Sequence, residues 1–216
     1  LTPILSIAGL SLRLGRVDRA TFHPDGLRPE SDTDHTVMLG LLAIDIAGEH
    51  PELGLNLGRL ALLALVHDLA EAYAGDTNTA VALTAEQRSS KAAREAAAVE
   101  RIAAELGDSA VVTGLRVYEE QELPEARFLR YLDKVTPKLT HTLNGNIAIR
   151  RMGWTVEQLR ERHRTQGAEL AAAYPEFVDV LGPIFDAACA ASEEALARAY
   201  ADAWAAGDTT VLGGAP

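Results

Sequence analysis

The sequence predicts an all-α fold, one helical bundle spanning residues 1–216, and three observations predict it. Ala and Leu dominate a chain that is 48% hydrophobic and 24% charged, and such side chains lose little rotamer freedom in a helix. Apolar residues recur at helical spacing, with few β-branched runs. Capping signals and glycines punctuate those segments where helices should start and stop. At 216 residues the chain can bury a core of its own.

The elements follow in order. The apolar start "LTPILSIAGL" lacks a basic flank and is too short to span a bilayer. It reads as a first helix packed on the core, and because it begins without Met, a residue or more is expected ahead of it. Residues 33–48 place Val37, Leu41 and Ile44 on one side, with Leu42 at its margin, behind the N-cap candidates of "SDTD". A helix from Leu57 to Ala74 stops at Gly75, a residue that accepts positive φ. Thr84 and Gln87 have capping-box spacing and open a long helix ending near Gly107; another covers 109–120. Pro124 opens the next, through Arg130 and Asp133 toward Leu143, with a kink at Pro137. Thr155 and Gln158 repeat the capping box before a helix to about Tyr174. The last helical region covers 176–206, interrupted near Gly182–Pro183, and the tail "GDTTVLGGAP" frays. No repeat, low-complexity block or linker divides the chain.

Charge narrows the function. A net charge of -11 and a pI near 5.0 argue against a nucleic-acid polymer as partner, which calls for a basic face. A small phosphorylated substrate needs only a few local cations. Cys189 is the one cysteine, so no internal disulfide forms, in keeping with a reducing cytoplasm. No membrane association is expected.

The chemistry-bearing stretch is "VHDLAEAYAGDT", residues 66–77. An apolar run gives way to His67 and Asp68, then Glu71, then Asp76 and Thr77 after Gly75. On an α-helix His67 and Glu71 share a face and Asp68 flanks them. Imidazole with carboxylate suits Mn, Fe, Co, Ni or Zn, and ligands from other helices would complete a site. His35, at the start of the preceding helix, and Asp133, in "FLRYLDKVTPKLTH", are the candidates. A bare His-Asp dipeptide is a weak signal, since a surfacing helix end gives the same pair; His35, then His67-Asp68, then Asp133 is a stronger one.

That order resembles the H…HD…D signature of the HD-domain metal-dependent phosphohydrolases. "LGRVDRATF", "SDTDHT" and "HDLAEAYAGDTNTA" make the chain similar to bacterial 5′-deoxynucleotidases and related small HD phosphohydrolases, over roughly residues 10–145. Residues 155–206 are further helices without a motif. The resemblance implies one divalent ion (Mn, Co, Ni, Fe, Zn or Mg) held by His35, His67, Asp68 and Asp133. It implies Glu71 and Asp76 as acids beside the attacking water and the leaving group. Arg19 would hold phosphate, with Thr77 as a further contact. A divalent cation activates water and neutralises phosphoryl charge, an Arg fork grips phosphate in two places, and a nearby carboxylate can move the proton.

Two departures widen the substrate question. Ala20 stands where the deoxynucleotidases carry Trp, which puts 2′-deoxy selectivity in doubt. Lys134 and Lys138 follow Asp133 one turn apart, so both can reach one anion, as a substrate with more than one phosphate would require. By the resemblance, a 5′-nucleoside monophosphate is still the leading substrate. The alternatives are a (deoxy)nucleoside triphosphate cut to nucleoside and triphosphate, and a catalytically silent nucleotide-binding sensor. Arg13 and Arg16 compete with Arg19 for the phosphate. His23, His50 and His163 are expected at the surface, His141 is weighed and set aside as a second-metal ligand, and Tyr73 and Trp154 are expected in packing. Broad apolar helix faces allow a homodimer, as the resemblance also implies.

Overall fold

Where the capping signals are strongest, the helix starts fall on the expected residues. The computed structural model describes residues 2–78, 81 and 83–207. They are largely helical; the one sheet among them is a hairpin, β1 (Asp18–Phe22) paired with β2 (Pro29–Ser31). The chain sorts into two compact units. The first holds the residues up to Arg19 and Glu30–Leu129; the second holds Ala20–Pro29 and the residues from Arg130 onward.

In the first unit, α1 (Thr2–Leu14) buries Leu10 and Leu14 while Ile4, Leu5 and Leu12 stay exposed. Ser31 caps α2 (Asp32–Glu49) through a full capping box with Asp34. Its side chain accepts from Asp34 N–H at 3.2 Å, and Asp34 Oδ2 accepts from Ser31 N–H at 3.0 Å, an arrangement worth about 1 kcal/mol. The buried stripe of α2 is Leu39, Ala43 and Ala47. The Val37, Leu41 and Ile44 side instead faces solvent, Leu41 at 66% exposure. Small residues on the packed side let α2 lie close to α3 (Leu57–Val66); a Cβ added at Gly40 would lie 3.5 Å from Ala64 Cβ, in van der Waals contact.

The helix expected over Leu57–Ala74 is two. α3 ends at Val66, four residues turn, and α4 (Glu71–Ala74) follows. Gly75 closes it at φ 74°, with its N–H donating to Glu71 O at 2.8 Å. Thr84 and Gln87 form the expected box at the start of α5 (Ala85–Leu106), and Gly107 ends it. Ser109 caps α6 (Ala110–Glu120). Leu10, Leu14, Val66, Leu69, Val99, Ile102, Val112 and Leu115 make one core among α1, α3, α5 and α6. α7 (Pro124–Asp133) begins in this unit and ends in the second.

The 124–143 segment is likewise two helices rather than one kinked helix, with α8 spanning Thr136–Leu143. Pro137 explains the break. It sits in the first turn of α8, where its missing N–H costs nothing, but it cannot bond Asp133 O. That carbonyl accepts from Thr136 Oγ1 at 2.9 Å instead. Past α9 (Ile147–Arg151), Thr155 and Gln158 box the start of α10 (Val156–Ala173). α11 (Val178–Ala205) packs on α8 and α10. It runs through Pro183 without the expected interruption. Gly182 has no Cβ to clash with the proline ring, and Leu181 and Phe185 anchor both sides of it in the core. Trp154 packs beside Ile149, Leu159 and Leu196, as expected. Of the tail expected to fray, all but Gly207 lies outside the described residues.

Candidate metal centre

The tight turn after α3 builds the first unit's site. Leu69 N–H donates to Val66 O, Glu71 N–H to Asp68 O, Ala72 N–H to Leu69 O and Tyr73 N–H to Ala70 O, each at 2.9–3.2 Å. This three-residue bonding places residues i and i+3 in line. Asp68 therefore shares a side with Glu71, in place of the His67–Glu71 pairing expected for an unbroken α-helix. Asp32, Asp68 and Glu71 offer carboxylate oxygens that all lie within 4.8 Å of one another, a group able to hold a metal ion.

The two histidines face the same point. His35, one turn into α2, and His67 have ring centroids 5.3 Å apart, and the Tyr118 ring stands at 76° to His67 with centroids 5.7 Å apart. Both rings are buried. His67 Nδ1 lies 2.7 Å from Ala64 O; a carbonyl only accepts, so Nδ1 carries the proton. The other ring nitrogen, Nε2, faces Asp68 Oδ2 at 2.9 Å. Two donor atoms at that distance call for a proton or a metal ion between them. His35 Nε2 lies 3.8 Å from the same oxygen. Donors about 2.1 Å from one ion stand about 3.0 Å apart at right angles and at most about 4.2 Å apart across it. The observed spacings fit that range, so these residues suit a divalent metal.

Arg19 reaches in from β1. Its Nη1 donates to Asp32 Oδ1 at 3.0 Å and to Asp68 Oδ2 at 3.2 Å. Arg13, exposed, instead lies over the Tyr73 ring at 4.9 Å, which leaves Tyr73 in packing as expected, and Arg16 is exposed too. Electrostatics mark the centre as crowded with acid. Burial first, then Asp68, raises the Asp32 carboxyl to about 6 against the pull of Arg19. Burial and the charges of Asp68, Asp32 and Asp76 push Glu71 far above the usual carboxylate range. Asp76 is raised mainly by burial, with Arg19 and Lys91 opposing. Thr77 Oγ1 accepts from Arg94 Nη2 at 3.0 Å.

Asp32 escaped the sequence reading, which took it only as a cap candidate. It is fully buried and pairs with Arg19 at 3.0 Å. The signal was present: Asp32 precedes His35 by three residues and so shares its helix face. Glu30, also buried, lies 3.9 Å from His35 Nδ1.

In the second unit, Asp133 ends α7 and pairs with Lys134 at 2.7 Å. Lys138, one turn into α8, is buried, its Nζ donating to Gln166 Oε1 and lying 5.2 Å from the Phe185 ring centroid. Burial, aided by Lys134 and Arg162, lowers it to about 8. Contrary to the sequence reading, His163 is not a surface residue; it is buried, with Nδ1 2.9 Å from Glu193 Oε1. His141 is buried beside it. His23 and His50 are half-buried.

Residues 12–174 match a family described as "HD domain". The chain is similar to a 5′-deoxynucleotidase HDDC2 of Danio rerio, 34% identical over 116 residues, half of this chain and 52% of that one. It is also similar to the Bos taurus 5′-deoxynucleotidase HDDC2, 33% identical over 110 residues and 50% of each. The chain thus spans about half the length of the curated relatives it matches. A solved structure of a "Predicted metal-dependent phosphohydrolase" from Magnetospirillum magnetotacticum MS-1 superposes with a TM-score of 0.66 at 23% identity. The match covers 93% of this chain and 98% of that one, a likeness of fold.

Proposed function

This chain belongs to the HD domain family, and on that premise we propose that it is a metal-dependent phosphohydrolase acting on nucleotides. The leading substrate is a 5′-nucleoside monophosphate, released as nucleoside and phosphate, as the names of the 5′-deoxynucleotidase relatives suggest. The observation that carries this reading is the convergence of His67 Nε2 and His35 Nε2 on Asp68 Oδ2, at 2.9 and 3.8 Å, spacings that one cation would span. His35, His67, Asp68 and Asp133 are the proposed ligands of one divalent ion, Asp133 entering by motif order. The ion, when bound, supplies water activation and charge neutralisation.

The chain's own groups do the rest. Arg19 exchanges part of its hold on Asp32 and Asp68 for phosphoryl oxygens. Glu71, whose burial favours the protonated form in the ion-free site, gives or takes a proton as hydrolysis proceeds, with Asp76 across from it. Thr77, Lys134 and Lys138 are further phosphate contacts. The three-phosphate alternative rests on those two lysines, and we place the work in the cytoplasm.

The test is phosphate release from a panel of nucleoside mono-, di- and triphosphates, with protein stripped and reloaded with Mn, Co, Ni or Mg. Turnover of monophosphates that disappears on stripping is expected. Tight nucleotide binding with no turnover under any metal would replace the enzyme with a sensor.

A further inference from the structure

Buried cations are ordinarily paired with acids, because removing a charge from water is costly. Lys138 breaks that rule. It keeps 7% of its surface exposed, and its three ammonium protons meet one hydrogen-bond acceptor, the neutral Gln166 Oε1, with only the Phe185 ring, 5.2 Å to its centroid, beside it. Lys134 and Arg162 repel it, and the acidic groups near it are Cys189 and Asp133. Cys189 offers no compensating anion, since burial pushes its thiol up to about 12. Asp133 is bonded by Lys134, and Glu193 is held by His163 and Arg160.

One turn along the same helix, His141 is buried with its Nδ1 lacking any hydrogen-bond partner. Positions i and i+3 share a face, and the charge of Lys138 acts on this ring. An ammonium with spare protons and an imidazole nitrogen with no partner thus share one face of α8. Both defects vanish if one acceptor-only, anionic group enters.

We propose that Lys138 and His141, with Gln166 as the displaceable stand-in, form a seat for a phosphate-sized oxyanion. Lys138 Nζ exchanges the Gln166 carbonyl for an anion oxygen, and His141 Nδ1–H donates to a second oxygen. The identity of the anion rests on the phosphohydrolase reading: a second phosphoryl group of the substrate, or free phosphate held after hydrolysis.

The experiment measures inorganic phosphate and pyrophosphate binding by calorimetry, on wild type and on Asp68→Ala, which removes a proposed metal ligand. Saturable binding should survive Asp68→Ala, fall at least tenfold with Lys138→Met added, fall at least threefold with His141→Phe added, and return within threefold with Lys138→Arg. Because an unpaired buried charge is removed, Lys138→Met should also melt higher, by about 3 °C or more. Unchanged phosphate affinity in Lys138→Met, or a lower melting temperature, overturns the seat. Steady-state kinetics then separate the sources. A substrate phosphate predicts that Lys138→Met raises KM for di- or triphosphates at least tenfold more than for monophosphates. Free phosphate predicts weakened product inhibition with KM values moving together. If no nucleotide turns over with any metal while Lys138-dependent phosphate binding persists, the hydrolase reading fails and the seat stands.

Discussion

Replacing Arg19 by Met keeps most of the side-chain stem and removes the guanidinium that joins Asp32 and Asp68. Asp32 is the decisive partner, with a side chain of 0% exposure, bonded at 3.0 Å. Stripping the cation from a buried carboxylate costs about 3 kcal/mol at the lower end of measured cases. Asp68, 17% exposed at the side chain, can turn toward water and adds little. The cost must depend on pH, because the Asp32 carboxyl is raised from 3.8 to about 6. In the metal-free wild type this raised value alone makes stability fall as pH climbs from about 4 through about 6, by about 3 kcal/mol in total. Below about pH 6 the folded-state Asp32 is mostly neutral and Arg19 contributes only an ordinary hydrogen bond, about 1 kcal/mol. Urea unfolding of chelator-treated Arg19→Met should therefore show a deficit of about 3 kcal/mol at pH 8, shrinking to about 1 kcal/mol at pH 5. A deficit of the same size at both pH values would refute the coupling to Asp32. A deficit below about 1 kcal/mol at pH 8 would mean that the Arg19–Asp32 pair is not buried as described.

Other consequences are as direct. His67→Ala and Asp68→Ala should each purify with less than a tenth of the wild-type metal, by elemental analysis; full occupancy in either would remove these residues from the ligand set. Metal at a hundredfold excess over its Kd should stabilise the stripped protein by about 2.7 kcal/mol, read as a rise in melting temperature absent from His67→Ala. Glu125→Ala should cost about 1–3 kcal/mol, because buried Glu125 accepts from Asn56 N–H at 2.9 Å at the mouth of α3 and also holds Arg59; denaturant midpoints measure it. Gly75→Ala should lower turnover more than stability, since a Cβ is strained at φ 74° and the adjustment moves Asp76; equal losses in both would contradict it.

The helix starts were legible because caps are local: Ser31, Thr84, Ser109 and Thr155 each accept from a backbone N–H three residues on. What escaped was set by partners distant in sequence. The Val37, Leu41 and Ile44 stripe is as apolar as the Leu39, Ala43 and Ala47 stripe, and hydrophobic spacing alone cannot choose between them. Close packing against Ala64 favoured the side with small residues. Asp32 read as a cap because nothing local signals that Arg19, thirteen residues earlier, returns to bond it. His163 read as surface for the same reason, its partner Glu193 lying thirty residues away.

The turn at 67–70 carries the most instructive difference. A continuous α-helix would have set Glu71 under His67, joining a ligand to a proton carrier. Ending α3 at Val66 separates the two tasks. His67 looks back, its Nδ1 fixed on Ala64 O in the last α3 turn, so the backbone turns Nε2 toward the site. Asp68 looks forward and lines up with Glu71 through three-residue bonding. Imidazole Nε2 and carboxylate meet at one point while the second carboxylate stays beside it, close enough to be forced toward its protonated form by burial and by Asp68. A cation entering that point would relieve the same repulsion and lower Glu71, so ion loading and proton release are coupled through Asp68. Proton release on metal binding, measured by calorimetry in buffers of different ionisation enthalpy, should accordingly fall in Glu71→Gln; an unchanged proton count would place the released proton elsewhere.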